Sequence, residues 1–281
     1  MFKRIVAGVD ARQGGRDALT LAGVLQRAGG GEIVAVHVYT YDRTVPLAEA
    51  GAVEDALHGE LLATLEGQLA AAGVAARPVI ARDLAPARAL HAAAEREQAD
   101  VIVVGSCHRA GANRLLTGDD AAAALRGAPC AVAVAPRGYA RSPRELGLIG
   151  VGYDGSHEAR RALELACRLA GEAAAGVRAT MVVRPSGAGE GQDALERAAA
   201  ECGDRITPEI MVGTASERLA SSSGELDLLV VGSRGYGPLR RVILGSTSTE
   251  LFRGAACPVL VLARGAAAPQ DKHSEEAARA G

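Results

Sequence analysis

The sequence predicts an α/β protein made of two doubly wound domains in tandem, each with parallel strands between layers of helices. Two observations predict this class. Apolar runs such as VIVVG (101–105) and LLVVG (228–232) show no alternation with polar residues, as expected for parallel strands buried on both faces. The second half of the chain also repeats the first. With no Trp and only two Phe, the core would be packed from small aliphatic side chains.

The repeat keeps two constant offsets along the chain. At an offset of 144, which places Asp10 on Asp154, RIVAGVDA (4–11) matches LIGVGYDG (148–155). At an offset of 127 the matching pairs are ADVIVVGS (99–106) with LDLLVVGS (226–233), and RGAPCAVAVAPRG (126–138) with RGAACPVLVLARG (253–265). Each copy therefore reads strand, helix, strand, helix, strand, helix, strand, loop, helix, strand.

The domain boundaries follow from the repeat. A Pro/Gly/Arg-rich linker at 136–145 predicts one domain over 1–140 and a second over 145–265, and 266–281 is expected to be a disordered tail. The last strands of the two copies, AVAVA and PVLVL, are candidates for sheet edges. We therefore expect the two repeats to pair with each other through these strands, and a homodimer is left open.

Composition argues against two classes of partner. The formal net charge is −2 at pH 7, so no overall field would attract nucleic acid or an anionic membrane. No apolar stretch reaches the length of a signal peptide or a membrane span, so we expect a soluble cytoplasmic protein. The five cysteines show no metal-like spacing and are expected to be buried or incidental thiols.

A glycine pattern at the start of the second copy raises the question of dinucleotide binding. GVGYDGS (150–156) has the spacing G-x-G-x-x-G after an apolar run, at Gly150, Gly152 and Gly155. The first copy does not keep the pattern, and two of the glycines alternate with apolar residues within the strand. The second strand ends on Arg184, where a dinucleotide site wants an acidic residue. Small residues under a closely packed helix are the preferred interpretation, and an NADP-linked oxidoreductase using Gly150–Gly155 is the alternative.

A better phosphate-binding pattern follows the fourth strand of the second copy. The segment VVGSRGYGPLRRVILGSTSTELF (230–252) has the spacing G-x2-G-x9-G-S at Gly232, Gly235, Gly245 and Ser246. Glycines let backbone N–H groups approach an anion, and STSTELF opens a helix whose first N–H groups lack partners. A helix N-cap beside a loop that merely needs glycine gives the same pattern. On this segment alone the two interpretations have equal weight.

This segment, with an Asp at the end of the first strand, resembles the ATP-binding class of universal stress proteins. The resemblance covers both copies. It implies a Rossmann-like, adenine nucleotide alpha hydrolase-like fold with a parallel five-stranded sheet per domain in the order 3-2-1-4-5, in a tandem chain that mimics the family's dimer. It also implies ATP as the ligand. Asp154 could hold Mg²⁺ in principle, but its match in the family faces the adenosine.

The resemblance further implies which residues of the second copy bind the nucleotide. Asp154 would contact the adenosine with Gly155 and Ser156 beside it, and Val183 would offer its backbone to the adenine. The residues implied on the ribose side are Val231 and Gly232, and those implied around the triphosphate are Gly235, Gly245, Ser246, Thr247 and Ser248. Further candidates are Arg234, Arg240 and Arg241, although an exposed Arg on such a loop is often only solvated.

The first copy departs from the pattern. GSCHRAGANRLLTGDDA (105–121) keeps Gly105 and Gly118 but has His108 for the middle glycine and Asp119 for the serine. Two like charges 4 Å apart repel by about 1 kcal/mol in water and about 4 kcal/mol at an effective dielectric constant of 20. We therefore expect the first domain to bind no triphosphate and to serve as a scaffold or partner domain.

Sequence evidence for catalysis is weak. There is no Walker A motif, and the 232–248 stretch contains no Glu or Gln that could orient an attacking water. This favours a binding or regulatory module of the stress response, with ATP held mainly by the C-terminal domain and slow hydrolysis left open. The alternatives are the NADP-linked oxidoreductase and an interaction scaffold whose two sites are both vestigial.

Overall fold

The computed structural model describes residues 2–39, 50–106, 126–184, 188–200, 205–233 and 246–262. The first half contains the strands β1 (Arg4–Gly8), β2 (Glu32–Tyr39), β3 (Ala76–Arg82), β4 (Val101–Gly105) and β5 (Ala131–Ala135). Its described helices are α1 (Gln13–Gly29), α2 (Ala50–Ala72) and α3 (Pro86–Glu97).

The second half repeats this order. Its strands are β6 (Leu148–Tyr153), β7 (Gly176–Val183), β8 (Ile206–Val212), β9 (Leu228–Gly232) and β10 (Val259–Leu262). Its described helices are α4 (His157–Ala173), α5 (Ala188–Ala200), α6 (Ala215–Ser222) and α7 (Ser246–Gly254). The predicted tail at 266–281 lies outside the described residues.

All ten strands belong to one sheet, in the order β3-β2-β1-β4-β5-β10-β9-β6-β7-β8. Within each half the neighbours are parallel and follow the order 3-2-1-4-5, which confirms the predicted doubly wound α/β fold. The sheet is not divided in two, because β5 and β10 pair antiparallel with Val259 opposite Val134. These are the two strands that the sequence marks as candidate edges.

Two hydrophobic clusters cover the two faces of the sheet. Successive strand residues alternate between them, so Ile5 and Ala7 belong to one cluster while Val6 belongs to the other. Both clusters contain residues from both halves. Helix α1 of the first half also packs against α4 of the second. The two repeats therefore share continuous cores on both sides of the sheet.

An aspartate before the fourth strand of each half fixes the start of the first strand. Asp100 Oδ2 accepts hydrogen bonds from the N–H groups of Lys3 (2.6 Å) and Arg4 (3.0 Å). Asp227 Oδ2 accepts from the N–H groups of Gly147 and Leu148, at the start of β6, at 2.9 Å each. These contacts hold the start of the first strand beside the start of the fourth strand in each half, and the two strands run parallel from there.

A second aspartate holds the linker between the halves. Asp17 lies on α1 and is fully buried. Its carboxylate accepts hydrogen bonds from the N–H groups of Gly138 and Ala140, at 2.8 Å each, and from the side chain of Gln13 at 2.8 Å. The position aligned with Asp17 in the second half carries Arg161. This contact is thus particular to the first repeat and anchors the segment that leads into the second.

The cysteines at the starts of β5 and β10 are expected to be chemically inert. Cys130 and Cys257 are each 5% exposed, and burial raises the pKa of both thiols to about 12. Such a thiol is deprotonated to only about one part in 10⁴ at pH 8. We therefore predict that iodoacetamide modifies neither residue in the folded protein and modifies both in denaturant, as read by peptide mass spectrometry. Rapid labelling of either thiol in the native state would contradict this prediction.

The helices also bear on membrane insertion. Within the part of the chain that the structure describes, no helix combines the length and the apolar character needed to cross a bilayer.

Candidate functional site

A cleft of about 380 Å³ opens in the second half at the carboxyl ends of β6 and β9. These neighbouring strands connect to helices on opposite faces of the sheet, which is where open α/β sheets usually bind ligands. Its lining comes from the turn after β6, from β7, α4 and α6, from the end of β9 and from the first turn of α7. The polar lining includes Asp154, Glu158, Ser233, Thr247 and Ser248.

The turn after β6 brings Asp154 to this cleft. Asp154 Oδ1 accepts a hydrogen bond from the N–H of Ser156 at 3.1 Å, and Gly155 between them has a φ of +78°, which favours glycine. The Ser156 hydroxyl caps α4 by accepting from the N–H of Ala159 at 3.1 Å. Gly155 therefore shapes the turn, Ser156 begins the helix, and Asp154 is the charged group that the turn presents.

The floor of the cleft requires a glycine at the end of β9. A Cβ atom on Gly232 would lie 2.8 Å from the backbone carbonyl carbon of Glu158, in the first turn of α4. Gly105, at the end of β4, has the same role in the first half, because its Cβ would lie 2.0 Å from the carbonyl oxygen of Gly14. Each half thus brings the end of its fourth strand against the start of its first helix.

The glycines of the dinucleotide-like pattern do not form a phosphate loop. Gly150 and Gly152 lie within β6. A Cβ on Gly150 would lie 2.3 Å from Leu226 Cδ1, and one on Gly152 would lie 3.0 Å from Leu219 Cδ1. Both glycines make room for leucine side chains, as the interpretation of small residues under closely packed elements predicted.

Ser233 is an unusual polar residue in the cleft. It follows Gly232 directly and is 1% exposed, yet its hydroxyl oxygen has no hydrogen-bond partner in the described structure. Thr247 and Ser248, in the first turn of α7, line the same cleft. The buried hydroxyl of Ser233 and the hydroxyl groups at the start of α7 together form a surface suited to a ligand rich in oxygen atoms.

The structure brings together part of the predicted site. Asp154, Ser156, Val231, Gly232, Thr247 and Ser248 all line the cleft. Val183 lies at the end of β7, where its side chain packs toward the other face of the sheet and Val182 lines the cleft instead. Ser246 begins α7. The candidates Arg234, Gly235, Arg240, Arg241 and Gly245 lie outside the described residues, as do His108, Gly118 and Asp119.

Three of the polar cleft residues were not singled out from the sequence. Thr180 lies two residues before Val182 in β7 and so shares its face, and Thr180 Oγ1 donates a hydrogen bond to Glu209 at 2.9 Å. Ser233 ends the repeated VVGS segment in the second copy, as Ser106 does in the first. Glu158 occupies the first turn of α4. Thr180 could have been found from the alternation of side chains along β7, and Ser233 could have been found from the repeat.

The first half has a cleft of about 450 Å³ at the carboxyl ends of β1 and β4. Asp10 lines it, but Asp10 Oδ1 accepts hydrogen bonds from the N–H groups of Arg12 (3.1 Å) and Gly15 (2.9 Å). A Cβ on Gly15 would lie 2.2 Å from the carbonyl oxygen of Asp10, so the turn is folded tightly onto the helix. Asp10 thus performs the capping that Ser156 performs in the second half.

The described residues give no indication of a metal centre. Among them, no group of three or more His, Cys, Asp or Glu side chains is placed to hold a metal ion.

The fold and the paired clefts define a tandem, doubly wound α/β protein with a ligand-type cleft at the carboxyl ends of the strands in each half. The model of the universal stress protein family matches residues 1–136 and 187–263. The chain belongs to the universal stress protein family.

Known relatives agree with this assignment. A universal stress protein of Methanocaldococcus jannaschii is 35% identical over 78 residues, which are 26% of this chain and 46% of that protein. One of Mycobacterium tuberculosis is 33% identical over 128 residues, 40% of this chain and 46% of that protein. The chain thus spans less than half the length of these relatives. A crystal structure of a universal stress protein from Archaeoglobus fulgidus has the same fold, with a TM-score of 0.74, 23% identity and coverage of 93% of this chain and 98% of that one.

Proposed function

We propose that the chain is an ATP-binding regulatory module of the stress response, and that its C-terminal half holds most of the nucleotide. The observation that supports this most directly is Ser233. A buried hydroxyl without a partner costs free energy, and a ligand oxygen or nitrogen placed in the cleft would restore its hydrogen bond. Ser233 directly follows Gly232, whose missing Cβ lets the first turn of α4 lie against the end of β9.

The residues around the cleft fit the parts of a nucleotide. Asp154 would accept hydrogen bonds from the adenosine, and Val183 would contribute backbone groups to the adenine. Val231 and Gly232 would lie along the ribose. Thr247 and Ser248 would donate hydroxyl hydrogen bonds to the phosphates, and the positive end of the α7 dipole would favour their negative charge.

The sequence adds the segment before α7 to the proposed site. Gly235, Gly245 and Ser246 would bring backbone N–H groups to the triphosphate, with Arg234 nearby. In this proposal the residues of the site bind and orient the nucleotide. The expected role of the protein is therefore to bind the nucleotide and to signal whether it is bound.

Replacing Ser233 by alanine separates ligand binding from stability. Calorimetric titration should show one equivalent of ATP bound to the wild type, and Ser233→Ala should raise Kd by about 5- to 10-fold, the effect of losing one hydrogen bond. The unliganded variant should unfold at an equal or higher temperature, because a buried polar atom without a partner is removed. Ser106→Ala, at the aligned position of the first half, is the matched control and should leave ATP affinity unchanged.

Other ligands test the alternatives. ATP, AMP and NADPH are titrated, with and without Mg²⁺, into the wild type and into the double variant Gly235→Ala with Ser246→Asp. Loss of ATP binding in the double variant supports the proposal. NADPH binding that survives both changes would support the oxidoreductase, and absence of any binding to the wild type would support the scaffold.

A further inference from the structure

One pair of neighbouring strand residues differs in chemistry between the two halves. Thr180 of β7 is paired with Glu209 of β8 in the second half. The same pairing in the first half joins Val36 of β2 to Val79 of β3, and Val36 aligns with Thr180 at the offset of 144. Both valines pack in one hydrophobic cluster. The fold therefore accommodates an apolar pair here, and the sheet can be built without the polar pair of the second half.

The hydrogen bond between Thr180 and Glu209 fixes what the threonine can offer a ligand. Thr180 lines the second cleft and is only 4% exposed, and its Oγ1 lies 2.9 Å from Glu209 Oε2. A carboxylate has no hydrogen to donate, so the Thr180 hydroxyl is the donor in this bond. Because its hydrogen is used, the hydroxyl oxygen can only accept a hydrogen bond from a ligand. Hydrogen bonds to a charged acceptor are the stronger kind, which holds the hydroxyl in this orientation.

Apolar side chains form the wall of the cleft around Thr180. Val182, two residues further along β7, faces the same way, and Ala215 and Leu219 of α6 line the cleft with it. The flat ring of a nucleotide base packs well against such a wall. In the proposed function the phosphates lie at the start of α7, which leaves the wall formed by β7 and α6 for the base. The edge of the base then meets the hydroxyl oxygen of Thr180.

We propose that Thr180, held as an acceptor by Glu209, is a specificity-determining residue of the second cleft, which selects a purine with an amino group at position 6 over one with an oxo group there. An amino group donates a hydrogen bond to the Thr180 oxygen. An oxo group places two acceptors against each other with no hydrogen between them, and a site built in this way rejects it. Glu209 acts through Thr180 and is a positioning residue. This inference rests on the proposed ATP site in the second half.

Three triphosphates that differ only at this edge of the purine test the role of Thr180. They are ATP, inosine triphosphate and the triphosphate of purine riboside, which carries only hydrogen at position 6. In calorimetric titrations the wild type should bind ATP about tenfold or more tightly than either of the others. Thr180→Val, which keeps the shape of the side chain and is the residue of the first half, should bind ATP about 5- to 10-fold more weakly and lose the preference over the unsubstituted purine.

A second variant changes the direction of the hydrogen bond and leaves Thr180 in place. In Glu209→Gln the amide N–H can donate to Thr180 Oγ1, which frees the hydroxyl hydrogen to donate to an oxo group in the cleft. Binding of inosine triphosphate should therefore strengthen relative to ATP by about fivefold or more. A purely structural role of Glu209 would weaken both nucleotides alike. Glu217→Gln, which removes the same charge from an exposed position of α6, is the matched control and should leave the ratio of the two affinities unchanged.

The outcomes separate this inference from the proposed function. Circular dichroism and thermal unfolding first check that each variant is folded. If the wild type binds ATP but binds inosine triphosphate equally well, or if Thr180→Val keeps the full preference for ATP, the role of Thr180 is overturned and the ATP site stands. If the wild type binds no ATP, the proposed function fails and this inference fails with it.

Discussion

Replacing Gly105 by alanine is expected to lower the free energy of unfolding by about 3 kcal/mol or more, which is a large share of the stability of an ordinary domain. The new methyl group would lie 2.0 Å from the carbonyl oxygen of Gly14 and 2.6 Å from its carbonyl carbon. Both atoms belong to the backbone, so no side-chain rotation can relieve the overlap. Either β4 or the start of α1 must move, and the core of the first half would be disturbed with it.

Urea unfolding followed by circular dichroism measures this effect. Gly232→Ala should destabilise in the same direction but less, because its methyl group would lie 2.8 Å from the backbone of Glu158. Gly67→Ala is the matched control, since Gly67 lies in α2 and its Cβ would meet no atom within 4 Å. That change should stabilise the protein by up to about 1 kcal/mol through helix propensity. Equal stability of Gly105→Ala and wild type would show that the close approach is absent.

Replacing Asp17 by alanine is expected to lower the free energy of unfolding by about 3 kcal/mol, because buried N–H groups are left without acceptors. The N–H groups of Gly138 and Ala140 both depend on this carboxylate, and the side chain of Gln13 loses its partner as well. Asp17→Asn should cost less, since its amide retains one acceptor oxygen. Denaturant unfolding of both variants gives the comparison.

Arg161→Ala is the control for Asp17, because Arg161 occupies the aligned position on α4. Arg161 is only partly buried, and its replacement should change stability by about 0.5 kcal/mol or less. If Asp17→Ala were no more destabilising than Arg161→Ala, the carboxylate would not be what holds the linker on α1.

The strand order could be predicted because buried parallel strands have a plain signature. Unbroken runs such as VIVVG and LLVVG mark strands covered on both faces, and the repeat carries the same order into the second half. The joining of the two halves into one sheet depends instead on which edge strands pair, and here Val259 of β10 lies opposite Val134 of β5. The apolar sequences of β5 and β10 indicate edge strands that need a partner, but they do not specify the antiparallel register.

Residues of the cleft could be predicted where one residue type is required. Gly232 is needed by a backbone approach, and Asp154 is marked by the repeat. Ser233 was not singled out, because whether a serine hydroxyl is buried without a partner depends on packing that no local pattern records. The difference between Asp10 and Asp154 was also hidden, since the two residues align. It arises two residues later, where Ser156 caps its helix and Arg12 does not.

The antiparallel contact between β5 and β10 has a consequence for how the two clefts can diverge. Two separate copies meeting through such strands would be identical, and their association would weaken on dilution. A covalent link makes the encounter independent of concentration. A change that alters one pocket is then not copied into the other, so one repeat is free to acquire a new specificity while its sister keeps the old one.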